Sequence, residues 1–188
     1  MKTLIFEGIA TSGKSAIIGY LVKSLKDEMS IELATEEQTH LPIMAQRSEL
    51  NIHFFEDLIN TLTLKHPDLL IFDRLYITQA YRAKSDLTEY LATEDVLLPH
   101  SPHTIILKVN EDAIAERIKV ASGHRESEWL EYWKTKGNTF EEIAQYYIDQ
   151  QRGLLKLVKQ SKLPYTVFDM TSHNYGTITE EIIKIVRQ

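Results

Sequence analysis

Eight residues near the start of the chain, Gly8-Ile9-Ala10-Thr11-Ser12-Gly13-Lys14-Ser15, match G-x-x-x-x-G-K-[ST] at every fixed position. Such a segment constrains the fold because it must leave a strand and enter a helix. Its glycines let successive backbone N–H groups turn inward as an anion nest, and the helix adds its positive N-terminal end. Lys14 supplies a point charge for terminal phosphates, and the Ser15 hydroxyl is a Mg²⁺ ligand of the right kind. The flanks meet the requirement. Thr3–Glu7 is an apolar strand candidate, and Ile17, Ile18, Leu21, Val22 and Leu25 follow at helical spacing. Gly8, Ala10, Thr11, Ser12, Gly13, Lys14, Ser15 and Ala16 are therefore the expected cradle for the phosphates of a nucleoside triphosphate.

Further strands are predicted at Ser30–Ala34, Leu69–Asp73, Thr104–Val109 and Tyr165–Phe168, each short and rich in Ile, Leu, Val or Phe. Helical patterns fall near residues 14–28, 48–65, 76–98, 111–120, 139–161 and 177–187. Pro67 and Pro164 close helices and open strands. This alternation predicts a three-layer α/β fold, a parallel sheet with helices on both faces, in one domain spanning residues 1–188. Ligands in such sheets bind beyond the carboxyl ends of the strands, which selects residues 8–15, 35–40 and 73–82.

Composition narrows the partners. The net charge of −6 argues against nucleic acid as the main ligand, because polyphosphate backbones select basic surfaces. No cysteine is present, so disulfides and thiolate metal sites are excluded and a reducing compartment fits. The apolar run Leu4-Ile5-Phe6 is cut by Glu7, far short of a signal-peptide core, and no stretch reaches the length of a membrane span. The expectation is a cytoplasmic protein that binds a small molecule, with neither membrane nor nucleic acid as partner.

The strand Leu69–Asp73 ends in an acid followed by Arg74. Mg²⁺ in this kind of site needs a carboxylate at a neighbouring strand end, and Asp73 is the candidate. Arg74 is the candidate to orient a substrate phosphate or hydroxyl. A GTPase would carry D-x-x-G here, but the fourth residue is Tyr76, and no N-K-x-D occurs anywhere in the chain.

These residues resemble the thymidylate kinase and deoxynucleoside kinase superfamily of P-loop kinases. The resemblance runs from Phe6-Glu7-Gly8 into the loop and through Asp73-Arg74 with Thr78 and Tyr81. It ends on Leu107-Lys108-Val109-Asn110 and Ala115-Glu116-Arg117-Ile118. It implies a P-loop NTPase fold with a five-stranded parallel sheet, ATP with Mg²⁺, and transfer of the γ-phosphoryl group to a small acceptor, a nucleoside or nucleoside monophosphate. A homodimer is compatible with the family. The chain departs from both branches: Ala10 stands where thymidylate kinases carry Asp, Thr35-Glu36-Glu37-Gln38-Thr39 replaces their R-E-P-G, and Asp73-Arg74-Leu75 replaces the Glu-Arg-Ser of deoxynucleoside kinases. Deoxynucleoside kinases place a Glu after the second strand as base for the acceptor hydroxyl, a part open to Glu36 or Glu37.

Residues 117–137, with Arg117, Lys119, His124, Arg125, Lys134 and Lys136, correspond to the lid of such kinases. Arg117 and Arg125 are the candidates to neutralise the transferring group, since phosphoryl transfer needs positive charge where negative charge accumulates. Interleaved Glu126, Glu128 and Glu131 also fit a solvated, salt-bridged helix face. The acceptor is expected against Phe54, Arg74, Thr78, Tyr81 and Arg82. Two alternatives remain: a regulatory or assembly protein that binds ATP and hydrolyses it slowly, and a kinase of a non-nucleoside metabolite or antibiotic.

Overall fold

The computed structural model describes residues 1–40, 48–124 and 127–188. Five strands, β1 (Lys2–Gly8), β2 (Ile31–Ala34), β3 (Leu69–Asp73), β4 (Pro102–Lys108) and β5 (Tyr165–Asp169), form one parallel sheet in the order β2-β3-β1-β4-β5. The fold is α/β, with helices on both faces. Side chains alternate along each strand, so parity decides which face a residue serves. In β1, Leu4 and Phe6 enter one core with α1 (Lys14–Leu25), α6 (Glu111–Ser122) and α9 (Tyr175–Val186). Ile5 enters the opposite core with α3 (Ser48–Thr63), α4 (Tyr76–Ala83) and α5 (Leu91–Leu97). The long helix α8 (Phe140–Leu157) serves both, through Ile143 and Tyr147 at one end and Leu154 and Leu157 at the other.

The same parity aims the polar residues at the strand ends. Asp73 follows Leu69 and Ile71 onto the α1 side, whereas Glu7 follows Ile5 onto the α4 side. β3 passes the chain across β1 to β4, and this reversal opens the crevice at the carboxyl ends of β1 and β3.

All five strands fall where expected, within two residues at each end. The continuous helix expected over 76–98 is broken. Lys84 adopts a left-handed conformation (φ 54°) and its N–H returns to the Ala80 and Tyr81 carbonyls, which ends α4. A single 3₁₀ turn, Leu87–Tyr90, buries Leu87 and Tyr90 before α5 begins. Two short helices escaped the periodic pattern. α2 (Glu36–Thr39) is one turn long, and α7 (Ser127–Lys134) lies inside the basic stretch. No helix among the described residues is long and apolar enough to cross a membrane.

Candidate active site

Gly8 leaves β1 with φ 155°, and a Cβ there would lie 2.8 Å from the Leu107 carbonyl oxygen. Gly13 caps α1 with φ 93°, and a Cβ there would lie 2.8 Å from the Tyr175 ring. Both positions therefore require glycine. The first helical hydrogen bond runs from the Ile17 N–H to the Gly13 carbonyl (3.0 Å), so the amides of Lys14, Ser15 and Ala16 lack intrahelical partners and face the cleft. Ser12 and Thr11 hold buried hydroxyl oxygens with no hydrogen-bond partner among the described residues. The loop lines one wall of a cleft of about 830 Å³ at the carboxyl ends of the strands.

Lys14 lies in this wall, 6% exposed. Burial, then the Arg74 charge, lowers its pKa to about 8 against the pull of Asp73, Glu36 and Glu7. Asp73 has its pKa raised, chiefly by burial, although Lys14 and Arg74 oppose the rise. Its Oδ1 is buried without a partner among the described residues. Ser15, by contrast, is exposed at the cleft. An orphaned carboxylate oxygen and an open hydroxyl fit a hard divalent cation that takes its remaining ligands from phosphate and water. Among the described residues no group of three or more His, Asp or Glu forms an all-protein cage.

Arg74 occupies a place its sequence did not announce. It is 4% exposed and its backbone is left-handed (φ 66°). Its Nη1 donates to the Gly8 carbonyl (2.6 Å), and its Nε pairs with Glu36 Oε1 (3.0 Å). It thus braces the base of the cradle and fixes Glu36 while lining the cleft. Glu7 completes the bracing. Fully buried, it accepts from the Leu75 N–H (3.0 Å), the Thr78 N–H (3.3 Å) and the Thr78 hydroxyl. Burial raises its pKa, and the Arg74 charge and these donors partly offset that.

On the opposite wall, α2 brings Glu36 toward Lys14. The Thr39 hydroxyl pins α2 to the end of β3 through the Asp73 carbonyl (3.1 Å). Burial works against the Glu36 charge, but Arg74 and Lys14 overrule it and bring its pKa down to about 2. Arg82 Nη2 stands 4.0 Å from the same oxygen. Glu37 lines the cleft, exposed and without an ion pair among the described residues.

The remaining expected acceptor residues lie elsewhere. Thr78 is buried with its hydroxyl committed to Glu7. Tyr81 lies against α8, where a Cβ on Gly153 would fall 2.4 Å from its ring. Phe54 packs edge-on against Phe55 at 5.9 Å, at the margin of the α3 core.

The lid candidates also divide. Arg117 lines the cleft on α6, but its guanidinium donates to the carbonyls of Thr11 (3.1 Å), Thr171 (3.2 Å) and Met170. As placed, it ties the loop to the segment after β5. Arg125 lies outside the described residues. Lys119 and Lys134 are exposed, Lys134 pairs with Glu131, and Lys136 sits over the Tyr132 and Tyr146 rings at 4.7 and 4.9 Å. Glu131 and Lys134 thus pair on an exposed face. Aromatic residues line the cleft there instead: Tyr132, and Tyr147, whose hydroxyl accepts from Trp133 Nε1 (3.0 Å). His40 and His173 also line the cleft without a motif to mark them, although His40 falls in the strand-end segment 35–40.

No family model matches the chain, and no curated protein matches it in sequence. Solved structures do resemble it. YorR protein from Bacillus subtilis, in complex with phosphorylated GDP, superposes with a TM-score of 0.68 at 17% identity, covering 99% of this chain and 96% of that one. Shikimate kinase from Bacteroides thetaiotaomicron gives a TM-score of 0.61 at 12% identity, covering 100% and 99%. The chain therefore has a P-loop kinase-like fold, and this likeness does not single out the thymidylate kinase or the deoxynucleoside kinase branch.

Proposed function

We propose that the chain is an ATP- and Mg²⁺-dependent phosphotransferase that moves the γ-phosphoryl group to a small acceptor, a nucleoside or nucleoside monophosphate. One observation carries the reading. A single cleft has the Lys14 cradle on one wall and the Glu36–Arg74 ion pair, with Arg82, on the other. A hydrolase needs no second wall of this kind, whereas a transferase needs donor and acceptor held in line.

In this reading the amides of Lys14 to Ala16 and the Lys14 ammonium hold the β- and γ-phosphates. Ser15 and Asp73 hold Mg²⁺, which supplies charge neutralisation at the phosphate oxygens. Glu36, held by Arg74, is the acceptor-side carboxylate of this reading, whereas Glu37 lines the cleft with no partner among the described residues to fix it. The low pKa of Glu36 makes it a weak base but a fixed hydrogen-bond acceptor that aligns an attacking hydroxyl. A loose phosphoryl-transfer transition state asks for that alignment more than for early proton removal. An ionised carboxylate also repels a phosphate, so a nucleoside hydroxyl suits this wall better than a monophosphate. The two similar structures agree with a range of acceptors on this fold, since one holds phosphorylated GDP and the other is a shikimate kinase.

A coupled assay of ADP release against a panel of nucleosides, nucleotides and other small alcohols tests the proposal. Turnover that depends on one acceptor class is expected. Acceptor-independent turnover, or none with any acceptor, would overturn it and leave an ATP-binding regulatory protein. Turnover with a non-nucleoside alcohol alone would move the acceptor class.

A further inference from the structure

His40 closes α2 and is held there by its backbone N–H, which donates to the Glu36 carbonyl (2.8 Å). The residue is 2% exposed, with both ring nitrogens buried, and lines the cleft together with Glu36, Arg74 and Arg82. Neither ring nitrogen makes a full hydrogen bond among the described residues, although the Thr39 backbone lies near enough to favour the protonated ring. Buried polar atoms in folded proteins are almost always paired, so two orphaned nitrogens on one ring require an account. A histidine serving only to fill the core would find a partner or be replaced by an apolar side chain. Here the residue lines the cleft, next to the carboxylate assigned to the acceptor.

We propose that His40 is an acceptor-binding residue, whose imidazole offers one donor and one acceptor to an uncharged polar edge of the phosphate acceptor, a hydroxyl or amide group of a nucleoside. The inference rests on the phosphotransferase reading of the cleft. The surroundings favour an uncharged edge. Arg82 and Arg74 stand close enough to disfavour the imidazolium, and burial disfavours it more, so the ring stays neutral with both capacities available. An anionic group has Arg82 and Lys14 to choose from, whereas a paired donor and acceptor match a group that itself offers both. A site built on such a ring rejects a compound lacking the matching group, because ring and compound would each be left unpaired.

The test is titration calorimetry on the full chain at pH 7.5, comparing wild type with His40→Leu and His40→Asn. The probes are AMP-PNP with Mg²⁺, and then adenosine, guanosine, cytidine and thymidine added to that complex. For the nucleoside that wild type binds, His40→Leu is expected to lose at least about tenfold in affinity, the scale of one buried hydrogen bond. AMP-PNP affinity should stay within about twofold, and His40→Asn, which keeps a donor and an acceptor, should recover most of the loss. The His40 imidazole ¹⁵N resonances should shift when nucleoside is added. A His40→Leu protein that binds nucleoside as tightly as wild type overturns the inference and leaves the phosphotransferase reading intact. An equal loss of AMP-PNP affinity also overturns it, since the ring would then be structural. If wild type binds AMP-PNP but no nucleoside, and the imidazole resonances do not move, the nucleoside reading fails and this inference with it.

Discussion

Arg74→Met separates two roles for one residue. As an acceptor-orienting cation, the role its sequence position suggests, Arg74 should matter to transfer and little to folding. As placed, it donates at 2.6 Å to the Gly8 carbonyl and offsets the charge of fully buried Glu7. Methionine keeps much of the apolar stem, so lost packing is minor. The hydrogen bond to Gly8 comes from a charged donor, which places it at about 1.5–3 kcal/mol. Glu7 also loses its compensating charge, whereas Glu36, with its side chain 45% exposed, regains water and adds little. The total is on the order of 3 kcal/mol, or about 6–12 °C in Tm for a chain of this size. The assay is thermal and urea unfolding of Arg74→Met, Glu7→Gln and the double variant, with AMP-PNP affinity measured alongside. Glu7→Gln stays a hydrogen-bond acceptor without the charge, so the double variant should recover about 1 kcal/mol relative to Arg74→Met. A Tm within about 2 °C of wild type, together with lost transfer, would refute the bracing argument and restore the acceptor-orienting role.

Five further outcomes follow from the same geometry. Lys14→Ala should abolish AMP-PNP binding by calorimetry, while Asp73→Asn should bind nucleotide with the Mg²⁺ requirement for transfer weakened; full activity in Asp73→Asn removes its assigned role. Because the Lys14 pKa is about 8 in the free cleft and an adjacent phosphate raises it, AMP-PNP binding at pH 8.5 should take up protons. Calorimetry in buffers of different ionisation enthalpy reads this, and the Lys14 share of the uptake should shrink at pH 6.5, where the ammonium is already protonated. His40, depressed to about 3 from about 6.5, binds a proton in the unfolded but not the folded chain between those values. Stability should therefore fall on acidification below pH 6.5 by about 1.4 kcal/mol per unit from this residue, and urea unfolding of His40→Asn should show a slope smaller by about one proton. Gly153→Ala should destabilise by about 1–3 kcal/mol in the same unfolding assay, because its Cβ would overlap the Tyr81 ring.

The donor side was legible because its chemistry is local. Eight contiguous residues specify the turn, the amides, the lysine and the hydroxyl, and the flanking strand and helix are long enough to show their periods. Asp73 was legible for a related reason: strand parity and the strand-end rule place its carboxylate on the α1 side. The bracing contact of Arg74, one residue later, was not legible, because its left-handed φ of 66° takes it off that parity and brings its guanidinium to the Gly8 carbonyl. No pattern of side-chain types announces such a conformation in a non-glycine residue. Thr78 and Tyr81 were expected at the acceptor, and both fall on α4, the helix after β3. Helical phase alone could not say that Glu7 would claim one and Gly153 admit the other to the α8 surface. His40 carried no signal beyond its place in the strand-end segment 35–40, since its importance lies in what it lacks, and missing partners appear only in three dimensions.

The acceptor wall and the cradle are not independent in this structure. Arg74 touches both, through the Gly8 carbonyl on one side and the Glu36 carboxylate on the other. Lys14 lies in the field of Glu36, Asp73 and Glu7, so its proton affinity registers the charge of the opposite wall. An acceptor hydroxyl that hydrogen-bonds to Glu36 draws on the carboxylate that pairs with Arg74, and so acts on the residue that braces Gly8. Two walls joined through a buried guanidinium should not bind their ligands additively. The coupling runs in both directions by linkage, so AMP-PNP should change nucleoside affinity by the same factor as nucleoside changes AMP-PNP affinity. Arg74→Met should bring that factor toward one. A factor that survives the substitution unchanged would mean the walls communicate by some other route, with Arg74 only a structural brace.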